Sequence, residues 1–271
     1  MWARLRTDWV AIFGLFLVLL AVIFAFCAEI IAPYDPLQVA MYESLEAPSF
    51  DHIMGTDILG RDVFSRIIYG ARPSLIIGVV ATSISLLIGL IIGAIAGYYG
   101  GWLDSLLMRI TDVFLAFPFF LLAIAILTFL GTNLVNIFIA LSMVGWTNYA
   151  RLVRGQVISL RHRDYVKAAR SIGANDSRII LRHVLPNILA PVIIYTTMNV
   201  GVIILAEAGL SFLGLGVQPP HPSWGLMLAE GKDYFFAASW TVIWPGIAIF
   251  LTVLGYNLLG DGLRSALDPR Q

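Results

Sequence analysis

Long stretches without a charged side chain limit what this chain can fold into. Four of them cover residues 9–28, 73–103, 113–150 and 234–260. Each stretch approaches or exceeds the roughly 20 residues that a helix needs to cross the hydrocarbon core of a bilayer. Charged residues make up 13% of the 271 positions, whereas ordinary soluble domains contain about 25%. The sequence therefore predicts an all-α integral membrane protein.

Hydrophobic runs and turn signals together predict about six transmembrane helices. A tight turn is expected at Gly131-Thr-Asn133, because glycine and asparagine favour turns. Pro33 and Pro36 indicate that an extramembrane loop follows the first helix. The helices are expected at residues 9–31, 73–98, 105–129, 133–153, 188–212 and 240–262.

Lysine and arginine are distributed unevenly over the alternate loops. Arg61, Arg66, Arg72 and Lys232 lie on one side, and the other thirteen of the 17 basic residues lie on the opposite side. Because cytoplasmic loops retain an excess of Lys and Arg, both termini are expected to face the cytoplasm. The expected organisation is an N-terminal tail with the first helix (1–31), an extracytoplasmic loop (32–71), a transmembrane core (72–262) containing a cytoplasmic loop (154–187), and a cytoplasmic C-terminal tail (263–271).

The cytoplasmic loop is long and basic, and its residues favour two short helices. Asp164 is expected to cap a helix that ends near Gly173, a residue suited to a left-handed conformation. Asp176 is expected to cap a second helix that ends before Pro186. Such a hairpin fits either a basic loop near lipid headgroups or a docking surface. In the second case, the small side chains of residues 168 and 169 let a partner approach closely.

Two features inside the apolar runs are candidates for a role in transport or packing. Gly89, Gly93 and Gly97 recur every four residues, so they place a stripe without side chains on one helix face. The stripe predicts either close helix packing or a moving seam beside a pathway. Glu207 lies among aliphatic residues, where an ionisable group is costly. It is expected to be either a structural hydrogen-bond partner or a pathway residue.

Several functional classes find no support in the sequence. The histidines have no spacing typical of a metal site, and no nucleophile with a base and an orienting group can be assembled. The single Gly-Lys pair, Gly231-Lys232, does not form a phosphate-binding loop. A formal net charge of zero gives no argument for nucleic acid. We therefore expect no catalytic residues, no metal site and no nucleic-acid partner. The histidines are His52, His162, His183 and His221.

The residues Lys167-Ala168-Ala169, Gly173 and Leu185-Pro186 resemble the cytoplasmic coupling motif of ABC-transporter permeases. Lys167 and His183 depart from that pattern, which usually has Glu and an Ile-like residue there. Further segments are similar to the permeases of peptide and nickel importers, specifically the dipeptide permease C type. They are residues 55–62 (GTDILGRD), 65–72 (SRIIYGAR), 207–216 (EAGLSFLGLG), 222–225 (PSWG) and 257–264 (NLLGDGLR).

This resemblance implies the permease fold of type I ABC importers and a place in the inner membrane of a bacterial or archaeal cell. It also implies a second permease subunit, two ATPase subunits that bind ATP and magnesium, and an extracytoplasmic solute-binding protein. No cofactor is expected on this chain. The expected cargo is a di- or oligopeptide, with nickel or a metal chelate as the alternative; a gated channel or a membrane scaffold is the alternative from another class. Coupling to the ATPase is expected from Lys167, Ala168, Ala169, Arg170, Gly173, Leu185 and Pro186.

Overall fold

The computed structural model describes residues 8–267, which form helices joined by turns and one long loop and contain no β-strand. The tail residues 1–7 and 268–271 lie outside this range, as do the charges of Arg4, Arg6 and Arg270. The helices are α1 (Trp9–Phe26), α2 (Ala28–Ile31), α3 (Val63–Tyr99), α4 (Gly101–Leu115), α5 (Phe119–Leu130), α6 (Leu134–Arg161), α7 (Asp164–Ser171), α8 (Asp176–Ile179), α9 (Leu185–Phe212), α10 (Trp224–Gly231) and α11 (Trp240–Leu267).

Within the described residues, four helices are long and apolar enough to cross a membrane: α1, α3, α11 and the continuous helix Asp176–Phe212. The bent pair α4 and α5 adds a fifth if it forms one span. With 28 residues, α6 is long enough for a sixth, but it carries the polar residues Arg151, Arg154 and Arg161 in its second half. The predicted all-α membrane architecture is confirmed, whereas four of the about six expected spans, or five with the bent pair, meet these criteria among residues 8–267.

Three of the predicted helices differ clearly from the structure, and proline is involved in two of these differences. The fourth predicted helix, 133–153, continues to Arg161 as α6, so residues 154–161 of the expected cytoplasmic loop are helical. Helix α3 begins at Val63 rather than at residue 73, because the Asp62 side chain accepts a hydrogen bond from the Ser65 backbone N–H at 2.7 Å. Pro73 therefore lies inside the helix, and residues 63–71 of the expected loop are helical. The expected third helix is broken by a bend of 85° between α4 and α5. Pro118 begins the second segment; it lacks an N–H group and disfavours helical geometry before it.

Close approach of helices at small residues holds the bundle together. Helix α3 packs along α6, where Ser142 Oγ donates a hydrogen bond to the Ala81 carbonyl at 3.2 Å. Helix α1 crosses α11 at Gly14 and Gly255, where an added Cβ at Gly14 would lie 2.9 Å from the Gly255 oxygen. Small residues permit such contacts between membrane helices. Helix α3, with 37 residues, extends from one end of the bundle to the other.

The end of the bundle that carries residues 32–62 and α10 is termed the loop end. Four charged side chains meet there with little exposure of the arginines. Arg61 contacts Asp57 at 2.7 Å and Glu230 of α10 at 3.0 Å. Arg66 contacts the same two carboxylates, with 2.8 Å to Glu230. The ion pairs therefore fix α10 to the start of α3. The opposite end, which carries α7 and α8, is termed the hairpin end.

Candidate functional site

The hairpin of α7 and α8 (residues 164–179) turns at Gly173, whose φ is +83°. The Gly173 N–H bonds to the Arg170 carbonyl at 3.0 Å, and the Ala174 N–H bonds to the Ala169 carbonyl at 3.1 Å. This pattern is the Schellman motif, which requires a left-handed residue and favours glycine. The left-handed conformation predicted for Gly173 is confirmed.

The caps and the end of the second hairpin helix differ from the prediction. The cap residues are Arg163 and Asn175, each one residue earlier than expected. Asn175 accepts a hydrogen bond from the Arg178 N–H at 2.9 Å. The second helix does not end before Pro186 but continues through a π-helical turn, Ile180–Val184, into α9. Pro186 is the second residue of α9 and directly follows the π-helical turn.

An apolar cluster fixes the inner face of the hairpin against the ends of α3 and α6. Val166 and Ala169 of α7 are buried in it together with Ile179 of α8. They pack with Ala94 and Tyr98 of α3, and with Val153 and Val157 of α6. Burial of aliphatic side chains of this size stabilises a contact by about 1.5–3 kcal/mol for each large residue. The hairpin is therefore a packed part of the fold rather than a loose loop.

Polar contacts add a second attachment at the end of α3. The Tyr98 hydroxyl donates to Asp176 Oδ1 at 2.7 Å and accepts from Arg170 Nη2 at 2.9 Å. The Arg170 guanidinium also lies 5.5 Å from the centre of the Tyr98 ring. Arg161 Nη1 donates to the Gly97 carbonyl at 3.0 Å. Movement of the hairpin would therefore act directly on the last turn of α3.

The two alanines of the expected docking side lie on different faces of α7. Ala168 is exposed, whereas Ala169 is only 6% exposed and belongs to the apolar cluster. Neighbouring residues on a helix with 3.6 residues per turn point about 100° apart. The expectation that both alanines form one docking side is therefore wrong. Among the other residues expected at this site, Lys167, Arg170, Gly173 and Pro186 are exposed and Leu185 is half-buried.

The glycine stripe of α3 faces α6 along its whole length. An added Cβ would lie 2.3 Å from the Tyr149 side chain at Gly89, 2.5 Å from the Ala150 oxygen at Gly93 and 2.8 Å from the Val157 side chain at Gly97. Contacts this short leave no room for a side chain. The stripe is a helix-packing seam in this structure.

Glu207 is fully buried in α9. Its Oε1 accepts hydrogen bonds from the hydroxyls of Ser211 at 2.6 Å and Ser223 at 3.4 Å, while Oε2 has no hydrogen-bond partner within residues 8–267. The Ser223 Oγ also accepts from the Leu226 N–H at 3.1 Å and so caps α10. Glu207 therefore connects α9 to the short helix at the loop end.

Comparison with known families decides what kind of protein carries this hairpin. The family described as "binding-protein-dependent transport system inner membrane component" matches residues 89–271. A second family, "N-terminal TM domain of oligopeptide transport permease C", matches residues 1–48. The chain belongs to the ABC importer permeases. The permease is thus a multi-pass inner-membrane protein, and its homologues are permease subunits rather than enzymes.

Relatives and a solved structure agree with this family. The permease is 48% identical over 270 residues to the glutathione transport system permease protein GsiD of Escherichia coli O6:K15:H31 (strain 536 / UPEC) and of Shigella boydii serotype 4 (strain Sb227), covering 99% of this chain and 89% of each relative. Its fold is similar to the MetNI methionine ABC transporter in inward-facing conformations. That match has a TM-score of 0.62 at 18% identity and covers 74% of this chain and 96% of the other.

Sequence reasoning missed several residues that define the hairpin end. Tyr98 lies near the end of α3 within an apolar run, and the sequence gives no local signal of its bonds to the hairpin. Asp104 of α4 accepts two hydrogen bonds from Arg154 of α6, at 2.6 and 2.7 Å, and a distance of fifty residues hides this pair in the sequence. Ile172 at the tip of the hairpin is 85% exposed. An aliphatic residue directly before the predicted turn at Gly173 is a signal that could have been found in the sequence.

Proposed function

We propose that this permease and a second, homologous permease subunit form the path through which di- or oligopeptides enter the cell. The observation that carries the cargo class is the 48% identity, over nearly the whole chain, to proteins named as glutathione transport permeases. Glutathione is a short peptide, so this similarity supports a peptide cargo. Specificity is shared with the second permease subunit and with an extracytoplasmic solute-binding protein that delivers the cargo at the loop end.

The hairpin is the proposed contact with two ATPase subunits, which bind ATP and magnesium. Lys167, Ala168 and Ile172 form its outward surface, and Gly173 permits the sharp turn. The packing of Ala169 and the hydrogen bonds of Tyr98 support this role, because they hold the hairpin rigidly against α3. A rigid hairpin can transmit a movement of the ATPase to the membrane helices, whereas a flexible loop would not. Leu185 and Pro186 mark the passage from the hairpin into α9.

The orientation proposed for the permease puts the hairpin end and both termini in the cytoplasm, which the excess of basic residues at that end supports. Cysteine labelling tests this in a background without Cys27. An impermeant thiol reagent on intact cells should modify Lys232→Cys and spare Lys167→Cys. The reverse labelling pattern would refute the orientation.

The pathway itself is proposed to pass close to the α3–α6 seam and α9. Gly89, Gly93 and Gly97 allow two helices to slide with little side-chain obstruction. Glu207 holds α10 against α9, so it positions the loop end of the pathway rather than contacting cargo.

Transport of peptide is tested with the complete complex. The permease is purified with its partner permease, its ATPase subunits and its binding protein, and the bound ligand is identified by mass spectrometry. Uptake into proteoliposomes is then measured for glutathione, a dipeptide and a nickel chelate. We expect ATP-dependent uptake of glutathione or the dipeptide. Uptake of the nickel chelate alone would overturn the peptide assignment, and ATP-independent flux would indicate a channel.

A further inference from the structure

A small basic cleft lies where α6 ends and α7 begins. It has a volume of about 230 Å³ and is lined by Arg161, Val166, Lys167, Arg170 and Ser171. Three of these five side chains are cationic and one is a hydroxyl, whereas none is a carboxylate. A cleft lined in this way suits an anion, because guanidinium and ammonium groups donate strong hydrogen bonds to carboxylate or phosphate oxygens.

Neutral acceptors hold the two arginines of this cleft in place. Arg161 donates to a backbone carbonyl, at Gly97, and Arg170 donates to the Tyr98 hydroxyl. Arg161 also donates to His162 Nε2 at 3.0 Å, so these bonds orient both guanidinium groups through neutral partners. The carboxylate nearest to Arg170 is Asp176 at 3.9 Å, which lies at the limit of an ion pair.

Lys167 is only weakly compensated inside the chain. Its ammonium group lies 3.6 Å from Asp164, and both side chains are well exposed to solvent. Exposed ion pairs of this kind contribute little, since water and salt screen them. Two of the cationic side chains of the cleft, Arg161 and Arg170, are therefore held by hydrogen bonds, and Lys167 adds an exposed positive charge beside them.

The length of α6 favours a protein ligand over a lipid headgroup. At about 1.5 Å per residue, its 28 residues span about 42 Å, whereas the hydrocarbon core is about 30 Å thick. With Leu134 at one membrane boundary, Arg161 stands about 10 Å beyond the other boundary. In that placement, with α6 along the membrane normal, the cleft would open just past the headgroups, which extend the bilayer to about 40–45 Å. It lies beside the exposed residues Ala168 and Ile172.

We propose that the cleft formed by Arg161, Lys167 and Arg170 receives a carboxylate side chain of the ATPase subunit. This inference rests on the proposed coupling function and adds the chemistry of the partner: an acidic residue at the edge of the groove that takes the hairpin. Electrostatic complementarity of this kind sets register and partner choice. The ion pair would favour binding of the ATPase at the α6–α7 end of the hairpin over binding along its whole outer face.

The composition of the chain allows a direct chemical test. Lys167 and Lys232 are its two lysines, and they lie at opposite ends of the bundle. A water-soluble carbodiimide joins a lysine amine to a neighbouring carboxylate with loss of water, forming an amide. In the assembled complex, we expect peptide mass spectrometry to find Lys167 linked to an Asp or Glu of the ATPase subunit. The link should be absent in Lys167→Arg, which keeps the positive charge but has no amine.

Affinity provides an independent readout. Lys167→Glu should weaken ATPase binding about tenfold at low salt, and the difference from wild type should shrink as salt is raised. Lys232→Glu, the matched change at the loop end, should bind the ATPase like wild type. A photo-reactive benzoylphenylalanine at Ile172 reports separately whether the hairpin touches the ATPase at all.

The possible outcomes distinguish the cleft proposal from the coupling function on which it rests. If Ile172 captures the ATPase but Lys167 links only to Asp164 or to nothing, the cleft proposal is wrong and the coupling function stands. If neither position reaches the ATPase in an active complex, the coupling function itself fails. In nanodiscs of phosphatidylcholine with or without phosphatidylglycerol, a Lys167→Glu defect that appears only with phosphatidylglycerol would assign the cleft to a lipid phosphate and overturn the proposal.

Discussion

Tyr98 at the last turn of α3 donates a hydrogen bond of 2.7 Å to Asp176 at the start of α8. The hairpin is thereby tied to a helix of 37 residues that spans about 55 Å at 1.5 Å per residue. The other end of α3 carries Arg66, which is bonded to Glu230 of α10. One helix therefore connects the surface proposed for the ATPase with the loop end, where cargo is proposed to arrive.

Removal of the Tyr98 hydroxyl should weaken this connection while leaving the packing intact. Tyr98→Phe keeps the buried ring but loses the bonds to Asp176 and Arg170, and bonds to charged groups contribute about 1.5–3 kcal/mol. We expect the complex to assemble but to show several-fold less uptake per ATP hydrolysed, measured in proteoliposomes. Tyr99→Phe is the matched control, since Tyr99 is 52% exposed. Equal coupling ratios in both variants would contradict this role.

The two alanines of α7 should respond differently to the same substitution. Ala168→Glu adds a charge at an exposed position, so the fold should be retained while ATPase co-purification is lost. Ala169→Glu places a charge in the apolar cluster and should destabilise the hairpin by several kcal/mol, seen as a lower unfolding temperature in detergent. The exposed Ala47 of the loop end supplies the control Ala47→Glu. An Ala168→Glu complex with normal ATPase content would show that this face is not the docking surface.

Much of the fold could be predicted because apolar runs of membrane length have few alternatives to helix. The effect of proline on the helices was harder to predict. Pro118 coincides with a sharp break, whereas Pro73 lies inside a continuous helix. Local sequence cannot separate these cases. Arg66 and Ile68 are almost fully buried, so tertiary contacts keep the segment before Pro73 helical.

At the hairpin, the turn at Gly173 could be predicted from the sequence, but which face of α7 is buried could not. Gly173 could be placed because a Schellman turn needs a left-handed residue. The inward direction of Ala169 depends on how α7 docks, although Val166, three residues earlier, shares its face and gave a usable signal. The bonds of Tyr98 join positions more than seventy residues apart, and no local pattern encodes them.

A side chain on the glycine stripe should force α3 and α6 apart. Gly93→Leu adds atoms where even a Cβ would lie 2.5 Å from the Ala150 oxygen, and overpacking costs about 1–3 kcal/mol or more. We expect reduced abundance and loss of uptake. Gly155→Ala in α6 is the control, because no atom lies within 4 Å of its added Cβ and alanine favours helix. Full transport by Gly93→Leu at normal abundance would show that this contact is dispensable.

The loop end should be more stable below neutral pH because of His52. Burial lowers the pKa of His52, but hydrogen bonds and charges of Asp62 and Glu43 outweigh burial and raise the pKa above its ordinary value of 6.5. The proton is thus bound more tightly in the folded state, so the stabilisation is fully present below 6.5 and is lost as pH rises through the raised pKa.

Thermal unfolding of wild type and His52→Gln at about pH 5.5 and about pH 8.5 checks this sign, because the two conditions bracket the histidine range. The stability difference between the two proteins should be larger at the lower pH. His221→Gln alters an exposed histidine and serves as the control. A difference that grows with rising pH would refute the assigned pairing of His52 with Asp62.

Glu207 distinguishes a structural from a pathway role through two substitutions. Glu207→Leu leaves the hydroxyls of Ser211 and Ser223 without their acceptor in a buried site, which costs about 1–3 kcal/mol for each unsatisfied group. It should loosen α10 and lower both unfolding temperature and uptake. Glu207→Gln keeps an acceptor oxygen for both serines, so we expect stability and ATP-driven uptake close to wild type. A stable Glu207→Gln complex that hydrolyses ATP without uptake would instead place the carboxyl group in the pathway. If Glu207→Leu leaves assembly, hydrolysis and uptake unchanged, neither role holds.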